Sequence, residues 1–202
     1  MVVTRTFAWA HLPKTAGDTV ATIFSLFPEI VEFSDPLEDQ SKHAFFTQRP
    51  ELVADRQRVL SVRRLPSWLL SFESHKSRRG LYPDYEPVPM STAEEMAVST
   101  YPDHLLRAYV DEGRAWPDRW IRVEHLVDDV LALLKEHHVK VRWSLRRQIR
   151  AMEPKNTGGD YERTVSSWFT DEMIDRMYDH NPLWREAERL AYAPRPRRRL
   201  LS

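Results

Sequence analysis

The sequence contains no cysteine. This absence excludes disulfides, thiolate zinc sites and cysteine nucleophiles. The sequence also lacks an excess charge of either sign, because 30 acidic residues balance 30 basic ones. We therefore expect no overall field that attracts nucleic acid, and any anion site must come from local clustering of charge.

Long apolar runs are missing as well. No window approaches the roughly 18 uncharged apolar residues that span a bilayer. Residues 1–14 contain an arginine and no small-residue cleavage site, so we expect no secretory signal and a cytoplasmic location. The 202 residues suit one compact α/β domain over 1–193, followed by a basic, proline-rich tail over 194–202.

Short apolar segments predict the strands of this domain. They lie at residues 6–10, 30–33, 58–62 and 120–123. Amphipathic segments at 17–27 and 66–75 follow two of these strands and predict helices. Alternating strands and helices indicate a central, mainly parallel sheet flanked by helices. We expect the C-terminal half to be helical, with helices at 91–99, 102–112, 124–137, 170–179 and 182–192.

The segment 11–19 carries the strongest functional signal, His-Leu-Pro-Lys-Thr-Ala-Gly-Asp-Thr. A strand that turns sharply into a helix directs unpaired backbone N–H groups and the positive end of the helix dipole at one spot, which suits an anion. Gly17 permits close approach of the backbone, Lys14 adds a charge, and Thr15 and Thr19 add hydroxyl donors. The Walker pattern is absent because Lys14 precedes the glycine.

This order of residues resembles the 5′-phosphosulfate loop of sulfotransferases that use 3′-phosphoadenosine 5′-phosphosulfate (PAPS). The family form is close to His-x-Pro-Lys-Thr-Gly/Ala-Gly-Thr-Ser, and most positions agree. The departure is Asp18, where the family usually has threonine. The resemblance implies a P-loop-like α/β fold and donor contacts from the loop residues Lys14, Thr15, Ala16, Gly17, Asp18 and Thr19.

A second similarity follows the strand at 58–62. The family recognises the donor's 3′-phosphate with an arginine at a strand end and a serine eight positions later, and Arg63 and Ser71 have that spacing. A guanidinium binds phosphate oxygens in pairs, and a hydroxyl adds a neutral donor. Arg64 is an alternative to Arg63. Lys155 and Asn156 fall where the family often places a loop over the nucleotide.

The resemblance also suggests which residues perform the chemistry. Lys14 would stabilise the leaving phosphate oxygen. His43, in Ser-Lys-His at 41–43, matches the place where cytosolic sulfotransferases have a catalytic histidine, and imidazole suits proton removal near neutral pH. Other branches use an acidic residue after the second strand, which makes Asp35 and Glu32 the alternatives.

The sequence therefore predicts transfer of a sulfuryl group from PAPS, leaving 3′-phosphoadenosine 5′-phosphate (PAP), to a hydroxyl or amine of a small-molecule or glycan acceptor. No metal, nucleic-acid partner or membrane span is expected. Two alternatives stay open: a P-loop-type kinase or nucleotide hydrolase, and a nucleotide-binding module of the same fold without catalysis.

Overall fold

The computed structural model describes residues 1–36, 40–78, 88–111, 113, 115–153 and 161–193. Five strands form one sheet: β1 (Val2–Thr4), β2 (Phe7–His11), β3 (Val31–Ser34), β4 (Gln57–Val62) and β5 (Arg119–Arg122). Their order across the sheet is β3-β1-β2-β4-β5. Helices flank the sheet, so the α/β class expected from the sequence is confirmed.

The helices account for most of the remaining described chain. They are α1 (Gly17–Ser25), α2 (Pro50–Val53), α3 (Leu65–Ser77), α4 (Ala93–Ala97), α5 (Tyr101–Tyr109), α6 (Leu126–Glu136), α7 (Trp143–Arg150), α8 (Asp171–His180) and α9 (Pro182–Tyr192). Short 3-10 turns lie at Gln40–His43, Phe46–Gln48, Val123–His125 and Val165–Ser167. The helical character predicted for the second half is confirmed, and the last predicted helix matches α9. None of the helices in these described ranges has the length and apolar character needed to cross a membrane.

The sheet is mixed, and the expectation of a mainly parallel arrangement holds for the four strands β2, β3, β4 and β5, which run in the same direction. Strand β2 pairs in parallel with β4, and β4 with β5, but β1 is antiparallel to both β2 and β3. The sequence did not predict β1 because this strand has only three residues before the bend at Arg5. The hairpin closes through Thr4, whose hydroxyl accepts the Phe7 N–H at 3.0 Å.

Each face of the sheet carries its own apolar cluster. Because side chains alternate along a strand, Phe7 and Trp9 of β2 face one way while Ala8 and Ala10 face the other. Helices α1, α6 and α7 pack on the face of Phe7 and Trp9. Helices α3, α5 and α9 pack on the opposite face, with Trp68 and Trp184 fully buried. Helices therefore cover both faces of the sheet, and a ligand can reach it only at its edges and at the ends of its strands.

Candidate functional site

The predicted loop lies at the carboxyl edge of the sheet. Strands β2, β4 and β5 are parallel neighbours, so the segments that follow them emerge at one edge. Ligands of open α/β sheets bind outside this edge. The loop at 12–16 follows β2 and Arg63 follows β4. Strand β3 runs in the same direction, because β1 is antiparallel to both β2 and β3, and the segment leading to His43 leaves β3 at the same edge.

The loop contains two left-handed residues in close succession. Pro13 and Lys14 are the central residues of a turn in which the Thr15 N–H donates to the Leu12 carbonyl at 3.3 Å. Lys14 has φ 66°, and proline followed by a residue of positive φ is the pattern of a type II turn. Ala16, the N-cap of α1, has φ 59° and ψ 30°.

This conformation directs backbone donors outward at the start of α1. The N–H groups of Lys14, Ala16 and Gly17 have no acceptor within the described residues. Successive N–H groups of this kind form a concave anion site, which the helix dipole strengthens. The side chain of Thr15 does not contribute to it, because its hydroxyl donates to the Leu12 carbonyl at 2.7 Å. Thr19 is buried in the first turn of α1.

Glycine is required at position 17 by packing. A Cβ atom there would lie 2.1 Å from Cδ2 and Nε2 of His11. The His11 ring is held from behind by Trp9, at 4.9 Å between ring centroids and 14° between planes. The Trp9 indole in turn donates to the Ser61 hydroxyl at 2.9 Å. The start of α1 therefore rests on an imidazole that cannot easily move.

Lys14 and Arg63 are cations that form no ion pair within the described part of the chain. Both side chains are half-buried, and neither forms an ion pair or a side-chain hydrogen bond with any residue of the described chain. Burial, together with the positive charges of Arg78 and Arg63, lowers the pKa of Lys14 from 10.5 to about 8. Two half-buried cations at the ends of adjacent strands create a site that favours an anion.

The structure separates the two arginines that the sequence left as alternatives. Arg64 donates to the buried carboxylate of Glu188 at 2.7 Å, and its guanidinium lies 3.7 Å from the ring centroid of Tyr192. Arg64 is thus part of the contact between the start of α3 and α9. Arg63 remains available for a ligand.

Helix α3 connects Ser71 with the loop. The indole N–H of Trp68 donates to the Pro13 carbonyl at 2.8 Å. Ser71 lies one turn further along α3 and is half-buried. Its hydroxyl makes no hydrogen bond with other residues of the described ranges, so it can accept a ligand contact.

Asp18, the departure from the family pattern, forms an ion pair with Lys42. The Lys42 ammonium lies 3.2 Å from a carboxylate oxygen of Asp18. Lys42 therefore reduces the repulsion that an aspartate would exert on an anion in the loop. The pair also ties the turn at Gln40–His43 to the first turn of α1. The sequence analysis did not identify Lys42, although it stands next to the predicted histidine.

His43 packs against His11 beneath the loop. The two rings lie 4.7 Å apart in an edge-to-face arrangement. Burial and the charge of Lys42 lower the pKa of His43, and burial lowers that of His11 well below its usual value. Both imidazoles are therefore neutral near pH 7. The Nδ1 atom of His43 is buried and has no hydrogen-bond partner among the described residues.

The acidic alternatives to His43, Asp35 and Glu32, form ion pairs with other residues. Asp35 is buried, and its two carboxylate oxygens contact the amino group of Met1 at 2.8 Å and the Arg49 guanidinium at 2.9 Å. Glu32 lies on the edge strand β3 and pairs with Arg56 at 2.7 Å. These contacts give both carboxylates structural roles. Lys155 and Asn156 lie outside the described residues.

Arg78 is a further residue that the sequence analysis missed. It lies at the C-terminal end of α3, where it donates to the Ser74 carbonyl at 2.8 Å, and its charge acts on Lys14. No sequence motif around Arg78 identifies it as a site residue, because its position relative to Lys14 depends on where the end of α3 lies in the fold.

No known family profile, curated protein or solved structure matches this chain. Inferences about function therefore rest on the geometry of the site and on the resemblance of its motifs.

We predict that Gly17→Ala disrupts the anion loop through its contact with His11. The added methyl group would overlap the imidazole, and buried overpacking typically costs about 1–3 kcal/mol. The melting temperature and its increase on addition of sulfate should both become smaller. The double substitution His11→Ala/Gly17→Ala removes the clash and should recover part of the loss. Equal stability of Gly17→Ala and the parent protein would contradict this packing argument.

Lys14 should also set a pH limit on anion binding. The pKa of Lys14 is about 8 in the folded protein, whereas the ordinary value is 10.5. Between these two pH values, the folded protein therefore holds fewer protons than the unfolded chain. Stability of the ligand-free protein therefore rises with pH in this window, whereas stabilisation by sulfate falls because the ammonium charge is lost.

The measurement is the increase in melting temperature caused by sulfate, compared at about pH 7 and about pH 9.5. Lys14→Arg should retain the increase at the higher pH, because a guanidinium stays protonated there. Lys135→Ala, an exposed lysine on α6, serves as the control. An equal sulfate effect at both pH values in the parent protein would argue against Lys14 as the anion ligand.

Proposed function

We propose that this protein transfers a sulfuryl group from PAPS to a hydroxyl or amine of an acceptor. The observation that carries the proposal is the pair of half-buried cations, Lys14 and Arg63, at the ends of two adjacent parallel strands. Neither cation forms an ion pair with a residue of the described chain. A donor with phosphate groups at both ends of its ribose supplies anions for two such cations.

The proposal assigns a different part of the donor to each cation. The loop N–H groups and Lys14 hold the 5′-phosphosulfate. Arg63, with Ser71, holds the 3′-phosphate. In this arrangement Asp18 faces Lys42 and is not a phosphate ligand. P-loop kinases instead need a lysine after the glycine and a hydroxyl for magnesium, whereas here the Thr15 hydroxyl is used within the loop.

The reaction needs little more than alignment and charge stabilisation. The acceptor oxygen forms a bond to sulfur while the bond between sulfur and the bridging phosphate oxygen breaks. The electron pair of that bond stays on the phosphate of PAP, where the Lys14 ammonium and the loop N–H groups stabilise it. The proton of the acceptor leaves to a base, and donor and acceptor must be in line.

His43 is the proposed base because it is neutral and lies beside the loop. Its lowered pKa leaves a lone pair for proton removal near pH 7. In this structure Nδ1 is buried, so a shift of the turn at Gln40–His43 would be needed for the acceptor to reach this atom. The Asp18–Lys42 ion pair is one contact that holds this turn against α1.

Nucleotide affinity tests the donor. PAP should bind more tightly than 5′-AMP, ADP or ATP in calorimetric titrations. A charge-assisted hydrogen bond contributes about 1.5–3 kcal/mol, so the 3′-phosphate should improve affinity over 5′-AMP roughly 10- to 150-fold. Arg63→Ala should reduce PAP affinity to that of 5′-AMP and leave the latter unchanged. Arg176→Ala, an exposed arginine on α8, is the matched control. Equal binding of PAP and 5′-AMP by the parent protein would exclude a PAPS donor.

Turnover tests the base. An acceptor screen with PAPS, followed by mass shift, first supplies an acceptor. His43→Ala should then reduce turnover by about 10²–10⁴-fold, the usual contribution of a general base, and change PAP affinity little. His180→Ala, an exposed histidine at the end of α8, is the control. Unchanged turnover in His43→Ala would show that His43 is not the base. If the protein binds PAP but turns over no acceptor, the alternative of a non-catalytic nucleotide-binding module would be favoured.

A further inference from the structure

A concentration of positive charge lies on the side of the molecule covered by α6 and α7. Residues 137–152 contain one lysine, four arginines and no acidic residue. Because the whole chain is formally neutral, the remainder carries five more acidic than basic residues. The balanced total that argued against nucleic acid therefore conceals a strongly basic segment.

The fold presents these charges outward. Helix α7 packs on the apolar cluster through Ile149, which is fully buried, and through Leu145. Its opposite side carries Trp143, whose surface is 74% exposed, the highest value among the large exposed hydrophobic residues of the described chain. We define the α7 face as Lys140, Arg142, Trp143, Arg146 and Arg147.

The cations of the α7 face are not neutralised by their neighbours. None of its four basic side chains forms an ion pair with a residue in the described ranges. Only the adjacent Arg150 does so, with Asp128 at 2.9 Å. The Arg147 guanidinium lies 5.8 Å from the centroid of the Trp143 ring, so cation and aromatic ring are side by side.

We propose that the α7 face binds single-stranded nucleic acid. Arg142 and Arg146 lie one helical turn apart, about 6 Å along the axis, and can contact successive phosphates. Trp143 offers an open ring on which an unpaired base can stack. A basic surface that follows the backbone, combined with aromatic platforms, is how proteins bind single strands without sequence preference.

A membrane surface fits the α7 face less well. Helices that lie in the bilayer interface insert a broad apolar face. The apolar side of α7 is already buried in the protein, and a single tryptophan remains to insert. This surface is separate from the loop at Lys14, so the inference is independent of the proposed transfer reaction.

Fluorescence anisotropy of a labelled oligothymidylate tests the proposal with the full-length protein. The logarithm of affinity should fall linearly with the logarithm of NaCl concentration, with a slope of about −2 to −3 for three or four phosphate contacts. Trp143→Ala should weaken binding about 5- to 150-fold, the range measured for base stacking, with little change in slope. Trp143→Phe should restore much of the affinity, because phenylalanine can also stack.

Arg146→Ala should instead make the slope less steep by about 0.7. Arg176→Ala, an exposed arginine on α8, is the charge control and should leave both affinity and slope unchanged. Melting temperatures of all variants verify folding, which these exposed side chains should not alter. Equal oligonucleotide binding by Trp143→Ala, Arg146→Ala and the parent protein would overturn the proposal. The proposal would also be overturned if the protein bound phosphatidylserine-containing vesicles through the same residues and did not bind the oligonucleotide.

Discussion

The close packing of Gly17 on the His11 imidazole is the contact on which the candidate site depends. It sets the sharp angle between β2 and α1, and thereby the left-handed residues Lys14 and Ala16. Trp9 fixes the imidazole from below and Trp68 fixes the Pro13 carbonyl from the other face of the sheet. The anion loop is thus held from both apolar clusters, and its donors are oriented before any ligand arrives.

The sequence was sufficient to predict those parts of this arrangement that depend on residues close together in the chain. The segment 6–27 predicted a strand, a loop and a helix, which the structure confirms, and the apolar runs predicted four of the five strands. Strand β1 escaped prediction because three residues have no periodicity to detect, and it forms only by pairing with β2 and β3. Its insertion is what makes the sheet mixed.

The contacts that long-range packing decides could not be predicted in the same way. Arg63 and Arg64 are adjacent and chemically identical, and only the position of Glu188 on α9 assigns Arg64 to a structural role. Asp18 looked unfavourable for an anion site until the structure placed Lys42 beside it. Asp35 was an alternative to His43 as the base, but Arg49 and the Met1 amino group bind the carboxylate of Asp35.

Burial and the nearby positive charges of Arg78 and Arg63 disfavour the ammonium form of Lys14, so these charges lower the stability of the folded protein near neutral pH. A ligand that neutralises them binds only the folded chain and so shifts the folding equilibrium towards it. At a hundred times its dissociation constant such a ligand adds about 2.7 kcal/mol. That is a large part of the margin by which a typical domain is folded. An anion that binds these cations would then also govern how long each molecule survives proteolysis.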